Sequence, residues 1–254
     1  GAYASGFKRA PISMSELAVG MKCGGSDAFS GISANPLVGA IADRLHTCDA
    51  ATVLTEVPEM FGAEQHLLER CSDRQVFQQA EVMLNRFRRM FIDHNQPIHD
   101  NPSAGNREGG ITTLEEKSLG CVQKGGNQPV VDVLGYGQQI RKKGLSLADG
   151  PGNDLVSVSV LAATGVQMIL FTTGRGTPLG SPVPVIKIAS NSALATHKSH
   201  WIDFDAGALI QGASLAEETE HLWRLVVDVA SGRLTRNEEN GYHDFLPFKY
   251  GTTQ

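Results

Sequence analysis

Short apolar runs alternate along this chain with longer stretches whose apolar residues recur at helical spacing. Leu17 to Met21 is the first run and reads as a strand. Asn35-Pro36 starts a helix, because Asn caps free amides and Pro suits the first helical position; Val38, Ile41, Ala42 and Leu45 give that helix one apolar face. Ala51 to Val57 is a second strand, ended by Pro58. From Asp73 to His94, Val76, Ala80, Met83, Leu84, Phe87, Met90 and Phe91 form a core face, with Arg86, Arg88 and Arg89 on a solvated side. Beyond Pro97 a polar loop runs to Ile111, and loops of that length tend to be lids or binding loops. Thr113 and Glu116 open the next helix at capping-box spacing. Gln128 to Gly137 is a third strand, Asn153 caps a helix through Ala163, and Gln167 to Thr173 and Val183 to Ala189 are further strands. Alternating apolar residues surround two aspartates in His200 to Gly207, and Leu215 to Ala230 is a final amphipathic helix. Residues 1–15 read as a disordered or linker segment, and the polar tail after Gly232 carries aromatic patches at Phe245 and Phe248. Strands alternating with helices predict an α/β fold, a parallel sheet with helices on both faces.

Composition narrows the class. The 254 residues, 41% of them hydrophobic and 19% charged, can bury a sizeable core. A formal charge of -5 with no Lys/Arg block argues against a nucleic-acid surface. The longest apolar region, Val156 to Phe171, is interrupted by Ser157, Ser159, Thr164, Gly165 and Gln167, which excludes a membrane span there. Cys23, Cys48, Cys71 and Cys121 form no CxxC or zinc-ribbon spacing, so reduced thiols and a cytoplasmic setting are expected. Gly1-Ala2 without an initiator Met predicts an excised piece of a longer protein.

Candidate chemistry gathers where strands end. Cys23 to Gly31 packs a soft ligand, a carboxylate and two hydroxyls into one glycine-rich turn between the first strand and the first helix. Ligands of open α/β sheets bind just outside the carboxyl ends of strands. Glu56 is expected at the end of the second strand, so Cys23 and Glu56 make a mixed-ligand site for iron or manganese. Glu59 reads as complementing the dipole of the next helix. Arg175, in the turn Thr172 to Pro178, could clamp an anionic oxygen, phosphate or carboxylate. Lys117 is by default a surface lysine, and could instead bind a carboxylate or, if desolvated, act as a base. Gly135-Tyr136-Gly137 lacks the third glycine of a dinucleotide fingerprint, Ile140 standing in its place.

Several long motifs, in one order, carry a resemblance. CGGSDAFSGISANP, TVLTEVPEMFGAEQ, NPSAGNREGGITTLEEKSLGC, ILFTTGRGTP, PVIKIASNS and HWIDFDAG resemble the altronate and galactarate dehydratase family, from about Cys23 to about Ser231. The resemblance is to the carboxyl-terminal domain of that family and places it over residues 16–254, with a Rossmann-like fold. It implies an Fe2+-dependent hydro-lyase, with Mn2+ or another divalent ion as substitute, that converts D-altronate to 2-dehydro-3-deoxy-D-gluconate and water in hexuronate catabolism. On this footing Cys23 and Glu56 are assigned to the metal, and Asp27 is a third ligand or an acid/base group. Lys117 is the candidate base. Ser26, Asn106, Thr173, Arg175 and Thr177 are assigned to the sugar acid. A homodimer is expected for the full-length enzyme, with neither nucleic acid nor membrane as partner. Two alternatives stay open: another acid as substrate, galactarate or a sulfonated hydroxy acid among them, and a metal- and ligand-binding domain that is inactive without the domains preceding it.

Overall fold

The computed structural model describes residues 3, 6–8, 10–98 and 101–247. Its centre is a parallel sheet of β1 (Ala18–Cys23), β2 (Ala51–Leu54), β3 (Val130–Leu134), β4 (Gly144–Ala148), β5 (Met168–Thr173), β6 (Val185–Ala189) and β7 (Phe204–Asp205), ordered β3-β4-β2-β1-β5-β6-β7. Every paired neighbour is parallel, in register from Ala18 opposite Ala51 and from Val19 opposite Met168. The helices are α1 (Ala34–Thr47), α2 (Glu64–Leu68), α3 (Arg74–Asp93), α4 (Ala104–Glu108), α5 (Leu114–Val122), α6 (Asp154–Thr164), α7 (Ser192–His197), α8 (Leu215–Ala230) and α9 (Arg236–Glu239). None of the described helices is long and apolar enough to cross a membrane.

A parallel strand is covered on both faces, so its residues are apolar almost without alternation. All six positions of β1 and of β5 are buried. Val19, Met21, Leu170, Ile186 and Ile188 share one core with α1, α3 and α8. Ala18, Val53, Ile169, Phe171 and Val185 share the other with α6. Each buried Val, Leu or Ile contributes roughly 1.5–3 kcal/mol.

The strand order reverses beside β1. The chain runs from β1 to β2 on one side and later returns to β5 on the other, so the carboxyl ends of β1, β2 and β5 frame a switch-point crevice. Several expected elements move at their ends. The second strand stops at Leu54, because Glu56 adopts a left-handed backbone (φ 69°) that leads into a short 3-10 turn, Val57–Met60. In α1 it is Ser33 that occupies the cap position; Asn35 lies inside the helix, and its Oδ1 accepts from Thr172 Oγ1 at 2.7 Å. The polar loop contains α4, closed by a Ser103–Asn106 capping box. A strand not expected from the sequence, β4, lies between β3 and β2. Arg86 and Arg88 are not merely solvated, since they pair with Asp149 and Glu64. Of the amino-terminal segment, Met14–Glu16 forms one 3-10 turn capped by Ser13, and Phe248 in the tail lies outside the described residues.

Candidate active site

Four strand ends and the α3–α5 connection close around a cavity of about 400 Å³. β1 delivers Cys23, Gly24 and Ser26; the turn after β2 delivers Glu59; the segment after β4 delivers Asp154; the segment after β5 delivers Thr177; Asn101, Asn106 and Lys117 come from the α3–α5 connection and α5.

Cys23 meets two residues that the linear pattern does not pair with it. Its Sγ lies 3.5 Å from Cys121 Sγ on α5, and Cys121 Sγ lies 3.5 Å from Glu59 Oε2. Donor atoms of Cys23, Glu59 and Cys121, all buried, fall within 4.8 Å of one another. The hydrogen bond from Cys121, aided by Lys124 and opposed by burial, holds the Cys23 thiol well below its usual range. The same bond, together with burial, pushes Cys121 up. A thiolate is the form of cysteine that binds metal. A thiolate, a second sulfur and a carboxylate oxygen in one buried cluster suit a divalent transition-metal ion.

Glu59 does not serve a helix dipole, as its place before a helix suggests. Its Oε1 accepts from Lys117 Nζ at 2.8 Å, and although burial raises its pKa, Lys117 outweighs that and holds the carboxyl below the usual range. Glu56, assigned to the metal from the sequence, lies next to the cluster but faces other partners. Its Oε1 is 3.0 Å from Lys22 Nζ, and its Oε2 accepts from the Cys23 amide at 2.8 Å. Glu56 is therefore engaged by buried donors, while Glu59 presents its Oε2 to the sulfurs.

The remaining assignments divide. Lys117 is 8% exposed and bonded to Glu59, Asn101 and Asn106. Burial alone would push it down, but Glu59 and the thiols outweigh that, so its pKa is raised, which favours an ammonium donor over the base expected from the sequence. Asp27 is not free for acid/base work: Oδ1 accepts from Ser30 and Ser190, and Oδ2 from Asn191. It ties the ends of β1 and β6 together. Thr173 is fully buried, and its hydroxyl accepts the Gly176 amide, which commits it to the turn. Asn106 is committed as well, through Ser103, Lys117 and the Ser26 carbonyl. Arg175 pairs with Glu108 at 2.9 Å and is half-exposed. Ser26 and Thr177 do line the cavity, and the buried Ser26 Oγ has no hydrogen-bond partner among the described residues.

Cys121, Lys22, Lys124 and Asp154 were missed from the sequence. For the lysines a signal existed: Lys22 interrupts an apolar strand, and a buried lysine requires an anionic partner. Lys22 Nζ is bonded to Asp154 Oδ1 at 2.6 Å and to Ser157 Oγ at 2.7 Å.

The family model for D-galactarate/altronate dehydratase, C-terminal, matches residues 14–253. Altronate dehydratase of Escherichia coli (strain K12) is 52% identical over 246 residues, 97% of this chain and 50% of that protein. Altronate dehydratase of Bacillus subtilis (strain 168) is 51% identical over 251 residues, 98% of this chain and 50% of that protein. Galactarate dehydratase (L-threo-forming) of Escherichia coli (strain K12) is 39% identical over 235 residues, 91% and 45% of the two chains. The chain thus spans about half the length of these curated relatives. With that match running from the first strand through the last helix, the chain belongs to the D-galactarate/altronate dehydratase family, as its C-terminal domain.

Proposed function

We propose that this domain carries the catalytic centre of a metal-dependent hydro-lyase that removes water from D-altronate to give 2-dehydro-3-deoxy-D-gluconate. The observation that carries the reading is the Cys23–Glu59–Cys121 donor cluster beside the switch-point cavity. Substrate choice rests on the relatives: identity to the two altronate dehydratases is 52% and 51%, against 39% to the galactarate dehydratase.

The chemistry makes clear demands. The hydrogen to be lost sits on the carbon next to the carboxylate, so its departure creates an enediolate-like dianion that must be stabilised. A ferrous ion held by Cys23, Glu59 and Cys121 would supply Lewis acidity toward the substrate carboxylate and its adjacent hydroxyl. The domain's own side chains do the rest. Lys117, its pKa raised by Glu59 and the thiols against burial, lies on the cavity wall and suits a substrate oxygen that becomes negative. Ser26, whose buried hydroxyl has no hydrogen-bond partner among the described residues, and Thr177 line the cavity and are our candidates for contacts to sugar hydroxyls. Lys124 keeps its charge next to Cys23, since the thiols and Glu56 outweigh the burial that would lower it, and so favours the thiolate.

Anaerobic assay of 2-keto acid formation tests this reading, with added ferrous iron and a panel of D-altronate, galactarate and a sulfonated hydroxy acid. Turnover of D-altronate above the others supports it. Preferential turnover of another acid reassigns the substrate, and binding of the ion without turnover of any acid leaves a binding module.

A further inference from the structure

With Lys117 Nζ bonded to Glu59, Asn101 and Asn106, and Asp27 locked by Ser30, Ser190 and Asn191, the proton on carbon still needs an acceptor. Two carboxylates line the cavity, Glu59 and Asp154. Glu59 divides its oxygens between Lys117 and Cys121. Asp154 is different. Its side chain is 35% exposed, and among the described residues only Oδ1 has a bonded partner, the wholly buried Lys22. Lys22 is itself fixed by Glu56 and Ser157, so this anchor cannot swing away. The carboxylate lies over the Cα of Gly24, the residue after Cys23. A Cβ at Gly24 would stand 2.5 Å from each Asp154 oxygen, so glycine is the residue that lets the carboxylate take this position. Asp154 is also the first residue of α6, which fixes its backbone at the cavity edge.

We infer that Asp154 is the general base, its unanchored oxygen taking the hydrogen next to the substrate carboxylate while Lys22 holds the other oxygen in place. This rests on the hydro-lyase reading above. The step balances without a co-reactant. The C–H bond breaks and its proton goes to Asp154; the electron pair is held first in the enediolate-like dianion and then forms the carbon–carbon double bond as the neighbouring C–O bond breaks. The departing hydroxide is neutralised by the proton that Asp154 collected and leaves as water. The enol then moves its hydroxyl proton to the adjacent carbon and becomes the 2-keto acid. Lys22 is a positioning residue in this scheme.

The test uses whichever form of the protein, this domain or the longer chain that contains it, turns over a sugar acid anaerobically with ferrous iron. Asp154→Asn keeps an oxygen for Lys22, so the fold and the ion content should be unchanged. Its kcat should fall by roughly 10²–10⁴-fold, the usual contribution of a general base. KM should stay within about threefold, as for a group acting mainly in the transition state. Deuterium on the carbon next to the carboxylate should slow the variant more than it slows the unsubstituted protein, because proton removal becomes limiting. Asp154→Glu should recover part of the loss. Unchanged kcat in Asp154→Asn, loss of the bound ion, or a slow variant with no enlarged isotope effect each overturns the assignment. If the unsubstituted protein turns over no sugar acid, the hydro-lyase reading falls and the inference falls with it.

Discussion

Lys22 and Lys187 flank Phe171 in neighbouring strands, their Nζ atoms 4.8 and 5.2 Å from the ring centroid, yet they meet opposite electrostatic fates. Lys22 has Asp154 and Glu56 as direct partners, and these outweigh the burial that would lower it, so its pKa is raised. Burial pulls the pKa of Lys187 from 10.5 down to about 7, because its ammonium donates to the Thr177 carbonyl and forms no ion pair among the described residues, and the more distant Asp154 and Asp203 offset burial only in part. The sign of the pH effect follows. Between pH 7 and 10.5 the unfolded chain binds the proton more fully than the folded one, so stability rises with pH across this window and is lowest below 7. Lys187→Met should remove a rise of up to about 1.4 kcal/mol per pH unit. The variant should therefore exceed the unsubstituted protein most at pH 6 and converge on it near pH 10. Urea unfolding at a series of pH values measures the difference, and parallel curves would show that Lys187 stays charged. These lysines were legible in principle, because a charged residue within Ala18–Cys23 or Val185–Ala189 has to find a partner or lose its proton. Which of the two happens depends on Asp154, and 132 residues separate it from Lys22.

At the scale of elements, the strand–helix alternation and the long helices could be read directly, since periodicity and caps are local. Asp73 and Asn153 cap α3 and α6 as their positions suggest. β4 was not legible. GLSLA is short, holds no β-branched residue and follows two lysines, so neither its composition nor its flanks announce a strand; its pairing with β2 and β3 makes it one. That gap hid Asp154, which follows β4. Asn35 shows the reverse failure, a good cap residue drawn inside the helix because Thr172 on β5 donates to it. Asn191 is the cap that also joins elements. Its Oδ1 accepts the Leu194 amide of α7, while its Nδ2 donates to Asp27 Oδ2 and to the Gly174 carbonyl, so one side chain ties the ends of β1, β5 and β6. Loss of such a cap costs about 1 kcal/mol, and a buried acceptor left unpaired about 1–3 kcal/mol more. Asn191→Ala should thus lose about 2–4 kcal/mol by chemical denaturation, with Asn191→Asp recovering only the cap. A loss below about 0.5 kcal/mol, the range of ordinary surface changes, would show that Asp27 finds other donors.

For the molecule as a whole, the decisive fact is that a parallel sheet collects chemistry from distant segments at one edge. The motifs around Cys23 and Glu56 pointed to that edge, but the grouping of Cys23 with Glu59 and Cys121 could not be read from them. Which glutamate faces the sulfurs is decided by the left-handed backbone at Glu56 and the 3-10 turn after it, which brings Glu59 round toward Cys121. The two assignments make different predictions for stability. A ligand that binds only the folded state at 100 times its dissociation constant stabilises by about 2.7 kcal/mol. For a chain of this size each kcal/mol is worth about 2–4 °C, so anaerobic ferrous iron should raise the midpoint of thermal unfolding by about 5–10 °C. Cys121→Ala and Glu59→Gln should abolish that rise. Glu56→Gln removes a negative charge from the buried Lys22, so it should lower the starting midpoint yet keep the rise on adding the ion. If instead Glu56→Gln abolishes the rise and Glu59→Gln keeps it, the ion sits between Cys23 and the end of β2, as the sequence alone suggests, and Glu59 serves only to hold Lys117.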